Sequence, residues 1–124
     1  MDQPLILQAE ESAEYYFHEG CFILELLNTE ADQDVSIARA RVAPGTATRF
    51  HRLIGISERY LVQQGRGLVT IGEQPAEAVQ SGSVVLIPPD VRQRIENVGS
   101  EPLIFLAICT PRFRPECYQD LEGP

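Results

Sequence analysis

The stretch from Pro44 to Gly67 reads PGTATRFHRLIGISERYLVQQGRG, and it decides the fold. It places His51 and Glu58 on two short extended runs that Gly55 joins. Imidazole nitrogens and carboxylate oxygens are ligands for divalent first-row metals at neutral pH. The pair is predicted to face each other across a hairpin, either as two ligands of a metal ion or as partners in a hydrogen bond inside a barrel.

Strand parity assigns neighbours to this pair. Side chains alternate between the two faces of a strand, so Leu53 shares a face with His51, and Tyr60 shares one with Glu58. A metal site would favour a second imidazole at position 53, whereas leucine supplies an apolar wall. Tyr60 is either a hydroxyl donor to a substrate or a core aromatic residue whose hydroxyl is satisfied within the protein.

A second stretch, residues 82–97, reads GSVVLIPPDVRQRIEN and repeats the order of glycine, strand, proline turn and strand. On its second strand Gln93 faces inward with Ile95, while Arg92 and Arg94 face outward. The amide oxygen of Gln93 is a weak ligand for a metal, and its NH2 group is a good donor to a substrate.

The rest of the chain consists of short extended runs separated by turn residues, without a long amphipathic helix. This pattern predicts an all-β sandwich or barrel. Residues 73–83 are predicted to be a loop, and the proline-rich tail at 111–124 is expected along the surface with one helical turn at 115–121. The predicted strands are 21–28, 35–42, 50–54, 58–64, 68–72, 84–87, 92–98 and 103–110.

The two stretches resemble the paired motifs of the cupin superfamily, small β-barrels also called double-stranded β-helices or jelly rolls. Their patterns are G-x5-HxH-x(3,4)-E-x6-G and G-x5-PxG-x2-H-x3-N. Three positions depart from them, with Leu53 and Gln93 in place of histidines and Asp90 in place of a glycine. The positions that match are Gly45, His51, Glu58, Gly65, Gly82, Pro88 and Asn97.

The resemblance implies an all-β, cupin-type double-stranded β-helix (jelly-roll) barrel formed by one domain, residues 1–124. Its motif-bearing core would be residues 35–110, flanked by an N-terminal strand segment and a short C-terminal tail. Cupins usually hold a metal with three histidines and one glutamate. For this chain the resemblance implies a divalent ion (Mn, Ni, Zn or Fe) with His51, Glu58 and the amide oxygen of Gln93 as ligands.

Two functions from different classes follow from this resemblance. The first is a metal-dependent isomerase, epimerase or lyase that acts on a small polar molecule such as a sugar derivative, with Glu58 or Tyr60 handling the proton. The second is a degenerate cupin that binds a small ligand without turnover, with hydrogen bonds from Gln93 and Tyr60 and an apolar wall from Leu53.

Charge restricts the partners. The net charge of −8 argues against nucleic acid and anionic membranes as partners. All ten basic residues are arginine, so Schiff-base chemistry on lysine is excluded, and none precedes Arg39. The acidic N-terminal segment is expected to pair with arginines of the barrel or of a partner subunit, or else the arginines form an anion pocket. Arg39 and Arg41 are expected to face outward, and they line a pocket if the faces of their strand are reversed.

Compartment and assembly follow from the remaining features. No apolar run is long enough to span a bilayer, and the N-terminus carries acids where a signal peptide carries basic residues, which predicts a soluble, cytoplasmic protein. The three cysteines are far apart and predicted to be small buried hydrophobes rather than disulfide partners. His18 is expected at the surface or in a hydrogen bond. A homodimer is predicted, because cupins commonly dimerise and the acidic N-terminus needs a basic surface.

Overall fold

The computed structural model describes residues 3–124 of the chain. Within that range the helical residues form two 3-10 turns, Glu11–Ala13 and Pro115–Cys117, and no helix is long and apolar enough to cross a membrane. The strands are β1 (Tyr15–Phe17), β2 (Cys21–Leu27), β3 (Ser36–Val42), β4 (His51–Leu53), β5 (Ser57–Gln64), β6 (Arg66–Ile71), β7 (Glu77–Gln80), β8 (Val84–Ile87), β9 (Gln93–Asn97), β10 (Leu103–Thr110) and β11 (Tyr118–Asp120).

These strands form two antiparallel sheets that enclose one interior. The first sheet has the order β1-β2-β3-β10-β5-β8, and the second has the order β11-β4-β9-β6-β7. Alternate residues of the facing strands fill the interior. The largest buried apolar side chains are Tyr60, Ile87, Ile95, Leu103 and Phe105. The predicted all-β jelly-roll barrel is therefore confirmed, and it is flanked by an N-terminal strand segment and a short C-terminal tail.

The predicted hairpin between the strands of His51 and Glu58 is wrong. Strands β4 and β5 belong to different sheets, and β4 pairs with β9 and β11. The backbone groups at the end of β4 are already engaged, since the Leu53 carbonyl accepts the Asp90 N–H and the Ile54 N–H donates to the Cys117 carbonyl. The chain therefore crosses to the opposite sheet, and His51 and Glu58 reach the interior from different sheets.

Two segments differ from their predicted conformation. Residues Glu77–Gln80, predicted to be a loop, form the edge strand β7 on β6. Backbone pairing with β6 outweighs the low strand propensity of glutamate and alanine. The tail forms a 3-10 turn where one helical turn was expected. It continues as β11, which pairs with β4 and is not simply a surface segment.

Asp90 preserves the geometry of the glycine it replaces. Its φ of 69° is positive, a conformation that aspartate adopts more readily than most residues. Its Oδ1 accepts the N–H of Gly55 at 2.9 Å and so ties the 88–90 turn to the turn after β4. The substitution therefore leaves the barrel intact.

Two matching motif positions have structural roles. Gly65 has a φ of +89°, and a Cβ atom there would lie 2.8 Å from the Pro102 carbonyl oxygen, so only glycine fits. Asn97 is buried, and its Nδ2 donates to the carbonyls of Val42 and Glu101, both at 2.9 Å. These contacts explain why the spacing of the motifs indicates the fold.

The acidic N-terminal segment pairs with the arginines of β3. Arg39 lies 2.8 Å from Glu11 and 2.9 Å from Glu14, and Arg41 lies 2.6 Å from Glu14. The hydrogen bond from Arg41, with help from Arg39, lowers the pKa of Glu14. Both arginines therefore face away from the interior, which confirms the expected pairing within the chain. Met1 and Asp2, the start of this segment, lie outside the described residues.

Candidate functional site

A small cavity opens on the inner face of the first sheet. Its volume is about 60 Å³, room for a few waters or for one end of a larger molecule. The small residues Ala38, Ala40 and Ala107 leave this space on the inner face of the sheet. Among the predicted site residues, Leu53, Glu58 and Tyr60 line it, and His51 and Gln93 lie fully buried in the barrel.

His51 and Gln93 lie side by side. They are register partners on β4 and β9, and each is 1% exposed. The Nδ1 atom of His51 lies 2.6 Å from the Arg49 carbonyl oxygen, which can only accept, so Nδ1 donates. The imidazole stacks on Tyr118 of β11, with ring centres 5.2 Å apart. Its Nε2 atom therefore points away from these contacts and into the barrel.

The partner of His51 is Glu19, a residue that no motif contains. Oε1 of Glu19 lies 3.3 Å from Nε2 of His51. Oε2 of Glu19 accepts the thiol of Cys21 at 3.2 Å. Glu19 therefore faces the ring nitrogen of His51 that is not engaged with the backbone. The predicted alternative, a hydrogen bond between His51 and Glu58, is not formed.

Sequence reasoning missed Glu19 because nothing local distinguishes it from the other acids of the N-terminal segment. It lies in the tight turn from β1 to β2, where the Gly20 N–H donates to the Phe17 carbonyl and Gly20 has a φ of 110°. This turn directs the Glu19 side chain inward. The neighbouring His18 is exposed, as expected, and packs beside Tyr118.

Glu58 lies at the cavity wall with a free oxygen. The residue is 8% exposed, and its Oε1 has no hydrogen-bond partner among residues 3–124. Burial, followed by the charge of Glu19, raises the pKa of Glu58 to about 8, and the Gln93 amide partly offsets this shift. A carboxyl group in this state can both donate and accept a proton near neutral pH.

Tyr60 is held inside the barrel by Gln93. Its hydroxyl donates to the amide oxygen of Gln93, and its ring packs on Phe105 at a centroid distance of 4.3 Å. Burial, followed by the charge of Glu58, raises the pKa of Tyr60 well above its usual range. The hydroxyl is therefore a donor that is satisfied within the protein, the second of the two sequence interpretations.

The cysteines are free thiols in the described structure. Cys21 and Cys109 are buried, and Cys117 is partly exposed. Cys109 lines the cavity, and burial, followed by the charge of Glu58, raises the pKa of its thiol. Both buried thiols are therefore poor nucleophiles at neutral pH, in keeping with the predicted role as small buried hydrophobes.

The donor groups, as arranged, do not fit the predicted three-ligand metal site. Nε2 of His51 faces Glu19, and the amide oxygen of Gln93 accepts the Tyr60 hydroxyl. Of the three predicted ligands, only Glu58 presents a side-chain oxygen without a hydrogen-bond partner in residues 3–124. Throughout residues 3–124, no group of three or more histidine, cysteine, aspartate or glutamate side chains is placed to hold one ion. The second histidine of the motif is Leu53, which packs against Ile56 and Cys109 instead.

Comparison with known proteins gives a family and several relatives. Residues 38–109 match the family Cupin_2, described as Cupin domain. The uncharacterized protein MJ1618 of Methanocaldococcus jannaschii is 34% identical over 110 residues, and the match covers 87% of each chain. Glucose-6-phosphate isomerase of Pyrococcus furiosus is 31% identical over 91 residues, which cover 64% of this chain and 48% of the isomerase. The chain thus matches about half the length of that enzyme.

Among solved structures, oxalate decarboxylase of Bacillus subtilis, a protein with Mn(II) centres, superposes with a TM-score of 0.72. The sequence identity is 23%, and the match covers 83% of this chain and 28% of the decarboxylase. This likeness shows a shared fold and carries no statement about the reaction of the smaller chain.

Proposed function

This chain belongs to the cupin family, and we propose that it is a small-molecule enzyme in which Glu58 moves a proton on the substrate. The proposal covers those isomerisations, epimerisations and lyase eliminations that begin with a proton transfer. The observation that carries the proposal is the free Oε1 of Glu58, buried at the wall of the cavity.

The chemistry of Glu58 suits this role. A general acid or base works best when its pKa lies near the working pH, and that of Glu58 is raised to about 8. Oε1 has no hydrogen-bond partner among the described residues, so a proton on it is not held by another side chain. Proton transfer to or from this oxygen therefore breaks no hydrogen bond among the described residues.

Other residues hold Glu58 and the cavity in place. Tyr60 fixes the Gln93 amide next to Glu58 through its hydroxyl. Glu19 faces the imidazole of His51, and burial together with the charge of Glu19 raises the pKa of Glu58. Leu53 contributes an apolar side chain to the cavity wall. Groups fixed in this way lose little freedom when a substrate binds.

The binding of a divalent ion by this chain is still a prediction. Oxalate decarboxylase, with its Mn(II) centres, shares the fold. The ligand set for an ion would be His51, Glu58 and Gln93, and binding would require His51 and Gln93 to exchange their present partners. No step of the proposed reaction is assigned to an ion. Elemental analysis of protein purified without a histidine tag or chelator measures the metal content, and a His51→Ala variant shows whether it depends on this set.

The experiment that tests the function is hydrogen–deuterium exchange into the substrate. Small hydroxyketones and aminoketones are incubated with the protein in D2O, and exchange at carbon is followed by NMR. The expected result is exchange catalysed by the natural chain and abolished in Glu58→Gln, with Glu101→Gln as a matched exposed control. Binding without exchange would favour the alternative, a cupin that holds a ligand without turnover.

We also propose that the chain forms a homodimer. The acidic N-terminal segment needs no basic surface on a partner subunit, since Glu11 and Glu14 pair with arginines of β3 in the same chain. Support now comes from the exposed apolar residues of the edge strand β8, where Val84 is 66% and Leu86 is 63% exposed. Apolar side chains on an unpaired sheet edge favour association.

A further inference from the structure

We propose that residues 3–9 of one protomer, the N-terminal arm, lie in a groove between strands β7 and β8 of a second copy of the chain. The inference rests on the proposed homodimer and goes beyond it, because it names the segment that crosses between the protomers and the surface that receives it. It does not depend on the reaction proposed for Glu58.

The groove exists because two consecutive strands join different sheets. The turn at 81–83 links β7 to β8, and the Ser83 N–H donates to the Gln80 carbonyl at 2.8 Å. Beyond this turn β7 pairs with β6 in the second sheet, and β8 pairs with β5 in the first. The two strands therefore do not form a hairpin, and a groove of about 480 Å³ opens between the edges of the two sheets.

Apolar side chains from both sheets line this groove. They are Val69, Ile71 and Val79 of the second sheet and Val84, Val85 and Leu86 of β8. Two acids, Glu73 and Glu77, lie exposed at its rim, and the described lining contains no arginine or lysine. A groove of this composition stabilises an apolar, uncharged segment, because burying a charge in it would cost free energy.

The outer edge of β8 is open to a further strand. β8 reads VVLI, without a charge or a proline to prevent pairing. The edge away from β5 has no strand partner among residues 3–124. An extended segment laid along this edge would form main-chain hydrogen bonds with β8 and bury its alternate side chains in the groove.

The N-terminal arm has the composition that this groove accepts. It reads QPLILQA and carries no charge, and its residues belong to no helix or strand. Leu5, Ile6 and Leu7 are 50%, 98% and 53% exposed, the one run of three consecutive exposed large apolar residues in the described chain. Seven extended residues span about 23 Å, enough to follow the whole of a four-residue strand. The arm therefore gains by burial, and its length fits the edge of β8.

The position of the arm favours the groove of a second copy over its own. The arm leads into Glu11 and Glu14, which arginines of β3 hold. In the first sheet β3 lies three strands from β8, about 14 Å at the usual strand spacing. Within one chain no residue of the arm lines the groove, and Ile6 stays exposed. In a two-fold dimer with β8 at the interface, each arm can enter the groove of the partner, so the same contact forms twice.

The first measurement is the dissociation constant of the dimer, from sedimentation equilibrium over a series of concentrations. Ile6→Asp is expected to raise it about tenfold or more, because the variant loses the burial of a large apolar side chain. The side chain of Ile6 contacts little within its own chain, so the change should not disturb folding. Ile54→Asp is the matched control, since Ile54 is 44% exposed and lies outside the groove. It should leave the dissociation constant unchanged.

The second measurement locates the arm by cross-linking. An Ile6→Cys chain and a Leu86→Cys chain, carrying tags of different size, are mixed and mildly oxidised. The expected product is a disulfide-linked dimer that contains one chain of each size. The natural chain, with its three free thiols, gives the background.

The other outcomes separate this proposal from those it accompanies. An unchanged dissociation constant in Ile6→Asp, without the mixed cross-link, would overturn the exchange of arms and leave the homodimer standing. A natural chain that is monomeric at micromolar concentration would remove both. In the double variant Ile6→Cys, Leu86→Cys, a disulfide within one chain would show that the arm fills its own groove, against the proposal. Deuterium exchange into the substrate judges the reaction separately.

Discussion

Oε1 of Glu19 lies 3.3 Å from Nε2 of His51, so the turn between β1 and β2 supplies a carboxylate to the interior of the barrel. This pair joins the N-terminal segment to the first motif. It also occupies the imidazole nitrogen that the metal prediction assigns to an ion. A residue outside both motifs therefore contributes to the chemistry of the site.

The first prediction concerns the pH dependence of stability. The pKa of Glu58 is about 8 in the folded protein, against an ordinary value of 4.5. Between these values the unfolded chain has lost the proton and the folded chain keeps it, so unfolding releases a proton and stability falls as pH rises. Glu58→Gln does not lose stability in this way. Its free energy of unfolding, relative to that of the natural chain, should therefore rise by about 1.4 kcal/mol per pH unit between pH 5 and pH 8. Urea unfolding at several pH values measures it.

Glu101→Gln should follow the natural chain at every pH, since Glu101 is exposed at a turn. A constant difference in unfolding free energy between Glu58→Gln and the natural chain across this range would show that Glu58 ionises near its ordinary pKa. Proton transfer by Glu58 near neutral pH would then lose its support.

The second prediction restores the ligands that the motifs lack. The double variant Leu53→His, Gln93→His should bind Zn2+ at least about tenfold more tightly than the natural chain, because imidazole is a far better ligand than a side-chain amide or an alkyl group. Titration calorimetry with chelator-stripped protein measures the affinity. Adding His51→Ala to the double variant should remove the gain. Equal affinities for the double variant and the natural chain would mean that the number of imidazoles is not what limits metal binding.

The third prediction concerns the left-handed turn residue Asp90. Its φ of 69° is costly for alanine, and its Oδ1 accepts the Gly55 N–H. Asp90→Ala should lower the free energy of unfolding by about 1–2 kcal/mol. Asp90→Gly should lose less, since glycine adopts the conformation freely and only the hydrogen bond is removed. Thermal and urea unfolding would show this order, and an equal loss in both variants would show that the hydrogen bond alone matters.

The fourth prediction concerns assembly. The chain is expected to be a dimer by light scattering at micromolar concentration, with β8 in the interface. The double variant Val84→Asp, Leu86→Asp should be a monomer, because the free-energy cost of burying two carboxylates exceeds the stabilisation that the interface contact provides. Val98→Asp alters another exposed apolar residue, 46% exposed, and should leave the dimer intact. A natural chain that is monomeric under these conditions would contradict the dimer.

The all-β class, the family and the positions of both motifs follow from the amino-acid sequence alone. They do so because turns and strand parity are local: Gly65 must be glycine where its backbone turns, and alternating residues of a strand take opposite faces. The outward direction of Arg39 and Arg41 was the preferred choice for the same reason. Strand parity also predicted an inward face for Gln93, and Gln93 is buried.

Only the tertiary structure decided what these inward residues contact. The partners of His51 are Glu19 and Tyr118, which come from a turn and a tail at opposite ends of the chain. Strand β4 joins a different sheet from β5, so the expected hairpin does not form. A contact between residues distant in sequence depends on how two sheets close over each other, and no local pattern of side chains records that closure. The spacing of the motif residues along the chain is therefore enough to identify the family, whereas the chemistry of the site depends on how the two sheets pack together.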